Sequence, residues 1–117
     1  MYDLIIYGGT VVDGSGGAPF KADVAVLDGK IAGIGDFSAA DAKNKIDAAG
    51  RWITPGFFDM HSHADLTAML CPDMEGLLGQ GVTSVFTGHC GILIFLPAIL
   101  IPACASSNPA FLMMYSA

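Results

Sequence analysis

Charge is missing from the last third of this chain. Every Asp, Glu, Lys and Arg lies at or before Glu75, and none occurs from Gly76 to Ala117. A soluble domain needs polar residues on its exposed faces, so so long a stretch without charge marks a change in the character of the chain. Basic residues are scarce everywhere: five Lys and Arg against eleven Asp and Glu leave a net charge of −6. No basic patch is present to meet phosphates, which argues against nucleic-acid binding. The three cysteines, Cys71, Cys90 and Cys104, form no CxxC and no even set. They fit free thiols in a reducing, cytoplasmic compartment. Met1-Tyr2-Asp3 lacks a basic n-region and Leu4-Ile5-Ile6-Tyr7 is too short for an h-region, so no cleavable signal is expected. The late apolar runs are broken by Pro97 and Pro102. They fall short of the roughly 20 residues that span a bilayer. No internal repeat is visible.

What is present is a core-forming composition, 53% apolar over 117 residues, enough for one small domain. Residues 1–55 read as short strands and turns, a small β-sandwich module. Asp3 to Tyr7 and Thr10-Val11-Val12 flank a Gly8-Gly9 turn signal. Ala22 to Leu27 is a strand, and Asp28-Gly29 is a two-residue hairpin turn into Lys30 to Gly35. Ser38 to Lys45 is expected to be a helical turn. Lys45-Ile46-Asp47 and Arg51 to Thr54 are two more strands around Ala49-Gly50.

Residues 56–91 follow a different pattern. Phe57 to His61 is a short apolar strand. Leu66, Leu70, Met74, Leu77 and Leu78 fall on one face of a helix that Pro72 divides, with the second piece starting near Asp73 and Gly81 closing it. Val82 to Thr87 is a β-branched strand. Strand, helix and strand at this spacing make a βαβ unit with parallel neighbours. The fold class expected is therefore mixed β and α/β. Residues 92–117 form a charge-free apolar tail.

The chemistry concentrates in His61-Ser62-His63 and in Cys90, which lies 27 positions after His63. Alternation along a strand turns His61 and His63 the same way. Parallel sheets gather functional residues at the carboxyl ends of their strands, and Cys90 follows the next strand. Imidazole and thiolate both bind zinc, so His61, His63 and Cys90 are the expected metal ligands. The bland alternative, three unrelated core or loop residues, suits a lone His better than an HxH with a Cys on the neighbouring strand. Asp59 shares the histidines' parity. It is expected one layer deeper, either orienting a ligand histidine or accepting a structural hydrogen bond. Asp65 is expected to cap the next helix rather than face a substrate. His89 adjoins Cys90 and points the other way if the Gly88-His89-Cys90-Gly91 loop is extended. Cys71 and Cys104 read as apolar filler, and the Met and Phe residues as core.

Tyr2 to Gly14, Ala22 to Val26, Asp28 to Gly35 and Ile46 to Arg51 together resemble the opening of the amidohydrolase superfamily. Pro55-Gly56-Phe57-Phe58-Asp59-Met60-His61-Ser62-His63 resembles its first metal motif. His61 to Thr67, Gln80 to Val85 and Gly88-His89-Cys90-Gly91 are similar to the N-acyl-D-amino-acid deacylases, or D-aminoacylases. The resemblance covers residues 2 to 91. It implies a β-sandwich joined to a metal-dependent (β/α)8 barrel, with His61, His63 and Cys90 as ligands to Zn2+. It also implies hydrolysis of a small N-acyl amino acid. Further histidines and a catalytic carboxylate would come from later strands, so no catalytic residue is identifiable in this chain.

A (β/α)8 barrel takes about 250 residues, far more than follow Pro55. The expectation is an N-terminal fragment of a deacylase, inactive alone, with two barrel strands whose edges are exposed. The abrupt loss of charge suggests a reading-frame shift near codon 92. Two alternatives remain. One is a non-catalytic β module with an interacting or membrane-associating tail. The other is a fragment of a hydantoinase or dihydroorotase relative.

Overall fold

The computed structural model describes residues 1–64 and 70–86, and the backbone of two further strands at 98–100 and 112–116. The chain divides into two compact units, Met1–Pro55 with Asn108–Ala117, and Gly56–Ser107. Within the described residues strands predominate. No helix among them is long and apolar enough to cross a membrane.

The first unit is built on β1 (Tyr2–Val11), which pairs antiparallel with β2 (Phe20–Leu27), itself antiparallel to β3 (Lys30–Gly35). The β2–β3 connection is the expected hairpin: Asp28 and Gly29 have φ of 51° and 72°, the left-handed pair that a two-residue turn of matching twist demands. The other edge of β1 is shared. β4 (Ala42–Asp47) runs parallel to residues 2–7, and β5 (Arg51–Pro55) runs parallel to residues 10–11. β5 continues to β9 (Leu112–Ser116), antiparallel. The six strands thus share one branched hydrogen-bonded sheet.

Two local expectations give way here. Gly8-Gly9 is no turn. β1 runs straight through it with a bulge, since Ile6 pairs with Val24 and Gly9 with Ala22. The extra residue reverses the side-chain parity, so Val11 joins Leu4 and Ile6 on the core face. Gly8 takes φ 74° to do so, and a Cβ at Gly9 would lie 2.7 Å from Ile53 Cγ1. Ser38 to Lys45 is also not helical: Ala42–Asp47 is strand, and only a short turn precedes it. Ala and Lys favour helix, but one isolated turn is too short to nucleate. The β1 edge offers backbone pairing and a place for Ile46 against the core.

The core of this unit comprises Leu4, Ile6, Val11, Val24, Val26, Ala48 and Ile53. Each large member contributes roughly 1.5–3 kcal/mol by leaving water. On the opposite face Ile5 and Ala25 are equally buried, and Tyr2 meets Phe37 edge to face with centroids 5.4 Å apart. Carboxylates tie the loops down. Asp23 accepts the N–H of Gly8 at 2.9 Å and of Phe37 at 3.0 Å. Asp3 accepts the N–H of Asp28 at 2.7 Å and the ammonium of Lys43 at 2.6 Å.

The second unit has a three-stranded sheet: β6 (Phe57–Asp59) parallel to β7 (Val82–Phe86), and β7 antiparallel to β8 (Ala98–Leu100). Between β6 and β7 in sequence lies α1 (Glu75–Leu78), a single turn. It starts later than Asp73 because Met74 adopts φ 48°. A turn closed by Met74 N–H on the Cys71 carbonyl at 3.1 Å precedes it. That left-handed residue drives the Met74 side chain into a small core with Ala64 and Val85, flanked by Leu77, Leu78 and Val82. Gly81, with φ 84°, ends the segment, its N–H on the Leu78 carbonyl.

Leu70, expected on the buried helix face, is 84% exposed. Phe57, Phe58 and Met60, expected in the core, are exposed as well.

Candidate metal site

The site begins where β6 ends. That strand stops at Asp59, so His61 and His63 stand on the loop beyond it and not on the strand itself. Alternation is therefore not what pairs them. Two short hydrogen-bonded devices do that work. The Asp59 carboxylate accepts the backbone N–H of His61 at 3.1 Å. The Ser62 N–H donates to the Phe86 carbonyl at 3.1 Å, while its Oγ accepts the N–H of Ala64 at 3.1 Å. The HxH loop is thereby pinned to the carboxyl end of the parallel neighbour β7.

Both imidazoles are exposed, with ring centroids 5.8 Å apart and planes inclined by 59°. Two imidazoles on one tetrahedral zinc, through bonds of about 2.0–2.1 Å, have ring centres about 5 Å apart. The observed pair is slightly wider than that. Both imidazoles are donors of the type zinc takes, and their spacing falls within about 1 Å of that value. Among the described residues no group of three His, Cys, Asp or Glu side chains surrounds one point. Cys90, the third expected ligand, lies outside the described residues, as do His89, Asp65 and Cys104.

Asp59 is half-buried and acts on the backbone of His61. Of the two roles expected for it, the structural acceptor is the one seen, and its effect is to set the loop that carries the histidine. Ser62 is the contributor that motif reasoning passed over. The clue was present in the sequence, because a serine two residues before an amide favours a local side-chain-to-backbone turn. Cys71, expected as apolar filler, is an exposed free thiol. It lines a cavity of about 800 Å3 together with Ser62, His63, Asp73, Glu75 and Gln80. Thr83, buried under the start of β6, makes Gly56 obligatory: a Cβ there would lie 2.8 Å from Thr83 Cβ and closer still to its branches. The Phe57 N–H reaches the Gly81 carbonyl at 2.8 Å beside it. That close approach aligns β6 with β7, and so sets where the HxH loop begins.

No family model matches the chain. Curated sequences and solved structures do. N-acyl-D-glutamate deacylase of Alcaligenes xylosoxydans xylosoxydans is 50% identical over 90 residues, which is 77% of this chain and 18% of that protein. The crystal structure of N-acyl-D-glutamate deacylase from Bordetella bronchiseptica, complexed with zinc and a phosphonate mimic of the tetrahedral intermediate, superposes with a TM-score of 0.74 at 42% identity. That superposition covers 78% of this chain and 19% of the other. A D-aminoacylase studied for its binuclear metal centre gives a TM-score of 0.77 at 44% identity, over 82% of this chain and 20% of its own. The chain spans about a fifth of the length of the relatives it matches. Over that span, the N-terminal four-fifths of this chain belongs, by sequence and by fold, with the N-terminal part of the N-acyl-D-amino-acid deacylases of the amidohydrolase superfamily.

Proposed function

We propose that this chain is the N-terminal portion of a zinc-dependent deacylase that hydrolyses N-acyl-D-amino acids to a carboxylic acid and a D-amino acid. We further propose that it carries part of the metal site and is inactive by itself. The observation that supports this reading most directly is the His61–His63 pair, 5.8 Å between rings, held at the mouth of two parallel strands by the Ser62–Phe86 bond. The zinc in the matched N-acyl-D-glutamate deacylase structure supports zinc as the ion. His61 and His63 would hold it through imidazole nitrogen, and Cys90, two residues beyond Gly88, through sulfur. The domains that follow are a β module at 1–55, the start of a (β/α)8 barrel at 56–91, and the charge-free tail at 92–117.

When bound, the ion supplies Lewis acidity towards the acyl carbonyl and an activated water. The chain's own residues prepare the place for that chemistry. Asp59 fixes the backbone of His61, Ser62 ties the loop to β7, and Gly56 sets β6 against β7. Transfer of a proton to the leaving amine needs a carboxylate poised beside the substrate. Asp59 is already engaged with the His61 amide, and the resemblance to the deacylases implies a carboxylate from a later barrel strand for that step.

The experiment is a zinc titration of the purified chain, with a parallel hydrolysis assay on N-acyl-D-amino acids. Zinc uptake that is weakened in His61→Ala and in Cys90→Ser, with no turnover, is the expected result. Turnover abolished by His61→Ala would overturn the inactivity. A chain that takes up no zinc and partitions into vesicles would favour the non-catalytic β module with an associating tail.

A further inference from the structure

The charge-free tail meets both sheets. Ala98–Leu100 lies antiparallel on β7, with Ile99 opposite Val85. Leu112–Ser116 lies antiparallel on β5, with Met114 opposite Ile53. Without these strands β7 and β5 would each present a row of unpaired amides and carbonyls, and proteins blunt such edges with charge, proline, short strands or cover. Neither β7 nor the tail strands carry charge, since none occurs after Glu75, and β5 has Arg51 alone. The other devices are present. β8 is three residues long and is bracketed in sequence by Pro97 and Pro102, and Pro109 precedes β9 by three positions. A short strand between prolines offers little to a further strand, because proline has no amide to donate.

The geometry points to the tail as an edge-sealing segment: its two strands close the β7 and β5 edges against strand addition. One consequence rests on the deacylase reading given above. An all-parallel barrel needs a parallel third strand beside β7, and an antiparallel β8 occupies that edge. The tail therefore shuts the chain out of barrel completion by another polypeptide. The sealing itself does not depend on that reading.

Hydrogen exchange of the full chain tests it, with Ile99→Pro and Met114→Pro as the variants. Ile99→Pro is expected to speed exchange of the Ser84–Phe86 amides about tenfold or more while leaving Trp52–Thr54 unchanged. Met114→Pro is expected to do the reverse, and Val24–Val26 should be unaffected in both. The double variant is expected to self-associate with rising concentration where the parent does not. Parental exchange rates in both segments of both variants would overturn the proposal, as would a double variant that stays monomeric. Neither readout involves zinc or turnover, so failure here is distinct from failure of the deacylase assignment.

Discussion

The two units use the same kinds of residue to different ends. In Met1–Pro55 a ten-residue strand carries partners along both edges, and its core holds seven buried side chains drawn from β1, β2, β5 and the turn at Ala48. In Gly56–Ser107 the described strands have three to five residues, and the core cluster is Ala64, Met74 and Val85. Phe58 and Met60 are 52% and 64% exposed. The first unit satisfies itself. The second carries the His61–His63 pair and, among the described residues, a smaller core. The larger described core and the histidine pair thus lie in different units.

Core truncations sharpen this contrast most. Ile53→Ala removes a fully buried side chain of the first unit and is expected to cost about 2–5 kcal/mol, read by urea unfolding through the Trp52 fluorescence. Val85→Ala in the second unit is expected to cost less and to leave the Trp52 transition in place. Equal losses on that probe would erase the distinction between the units. Gly56→Ala forces a methyl group into buried Thr83. It is expected to cost about 1–3 kcal/mol, seen as faster amide exchange in Phe57–Asp59 and Val82–Phe86. Unchanged exchange would show that β6 moves freely away from β7.

The β module was largely legible in the residues because its signals are local. Alternating Val, Ile and Leu, the Asp28-Gly29 turn and the Gly50 turn each act within a few positions. What escaped was set by partners distant in sequence. The Gly8-Gly9 bulge exists because Val11 must face Ile53. Ala42–Asp47 is strand because the edge of β1 is there to receive it, as its pairing with residues 2–7 shows. Around the HxH, the sequence set two imidazoles close together but did not reveal what holds them. Alternation suggested a strand, whereas an Asp59 turn and a Ser62 anchor to Phe86 hold a loop.

That anchoring gives the next prediction. Asp59→Ala releases the His61 amide, and zinc affinity is expected to fall about tenfold, as when an outer support of a ligand is removed. The fold of Met1–Pro55 should be intact by circular dichroism. Undiminished affinity would mean that Asp59 sets nothing the metal feels.

The smallest expected effect is electrostatic and belongs to the first unit. The Lys43 ammonium, then the Asp28 amide, hold the Asp3 carboxyl below its ordinary 3.8, and Asp3 in turn raises Lys43 above 10.5. A lowered carboxylate contributes stability above its unfolded value and loses it as pH falls through the folded one. A raised lysine contributes below its unfolded value and loses it as pH rises through the folded one. The pair is exposed, with 59% of the Lys43 side chain open to water, so the gain is small and screened by salt. Lys43→Met is expected to move the acid unfolding midpoint slightly upward at low ionic strength and not at all in high salt. An equal shift in both would assign the effect to packing.

The most direct test of the metal site is X-ray absorption at the zinc edge on the purified chain loaded with one equivalent of zinc. Two imidazole nitrogens near 2.0–2.1 Å and one sulfur near 2.3 Å are expected, the sulfur vanishing in Cys90→Ser and one imidazole in His63→Ala. An all-oxygen shell, or a spectrum that neither substitution alters, would contradict a site built from His61, His63 and Cys90.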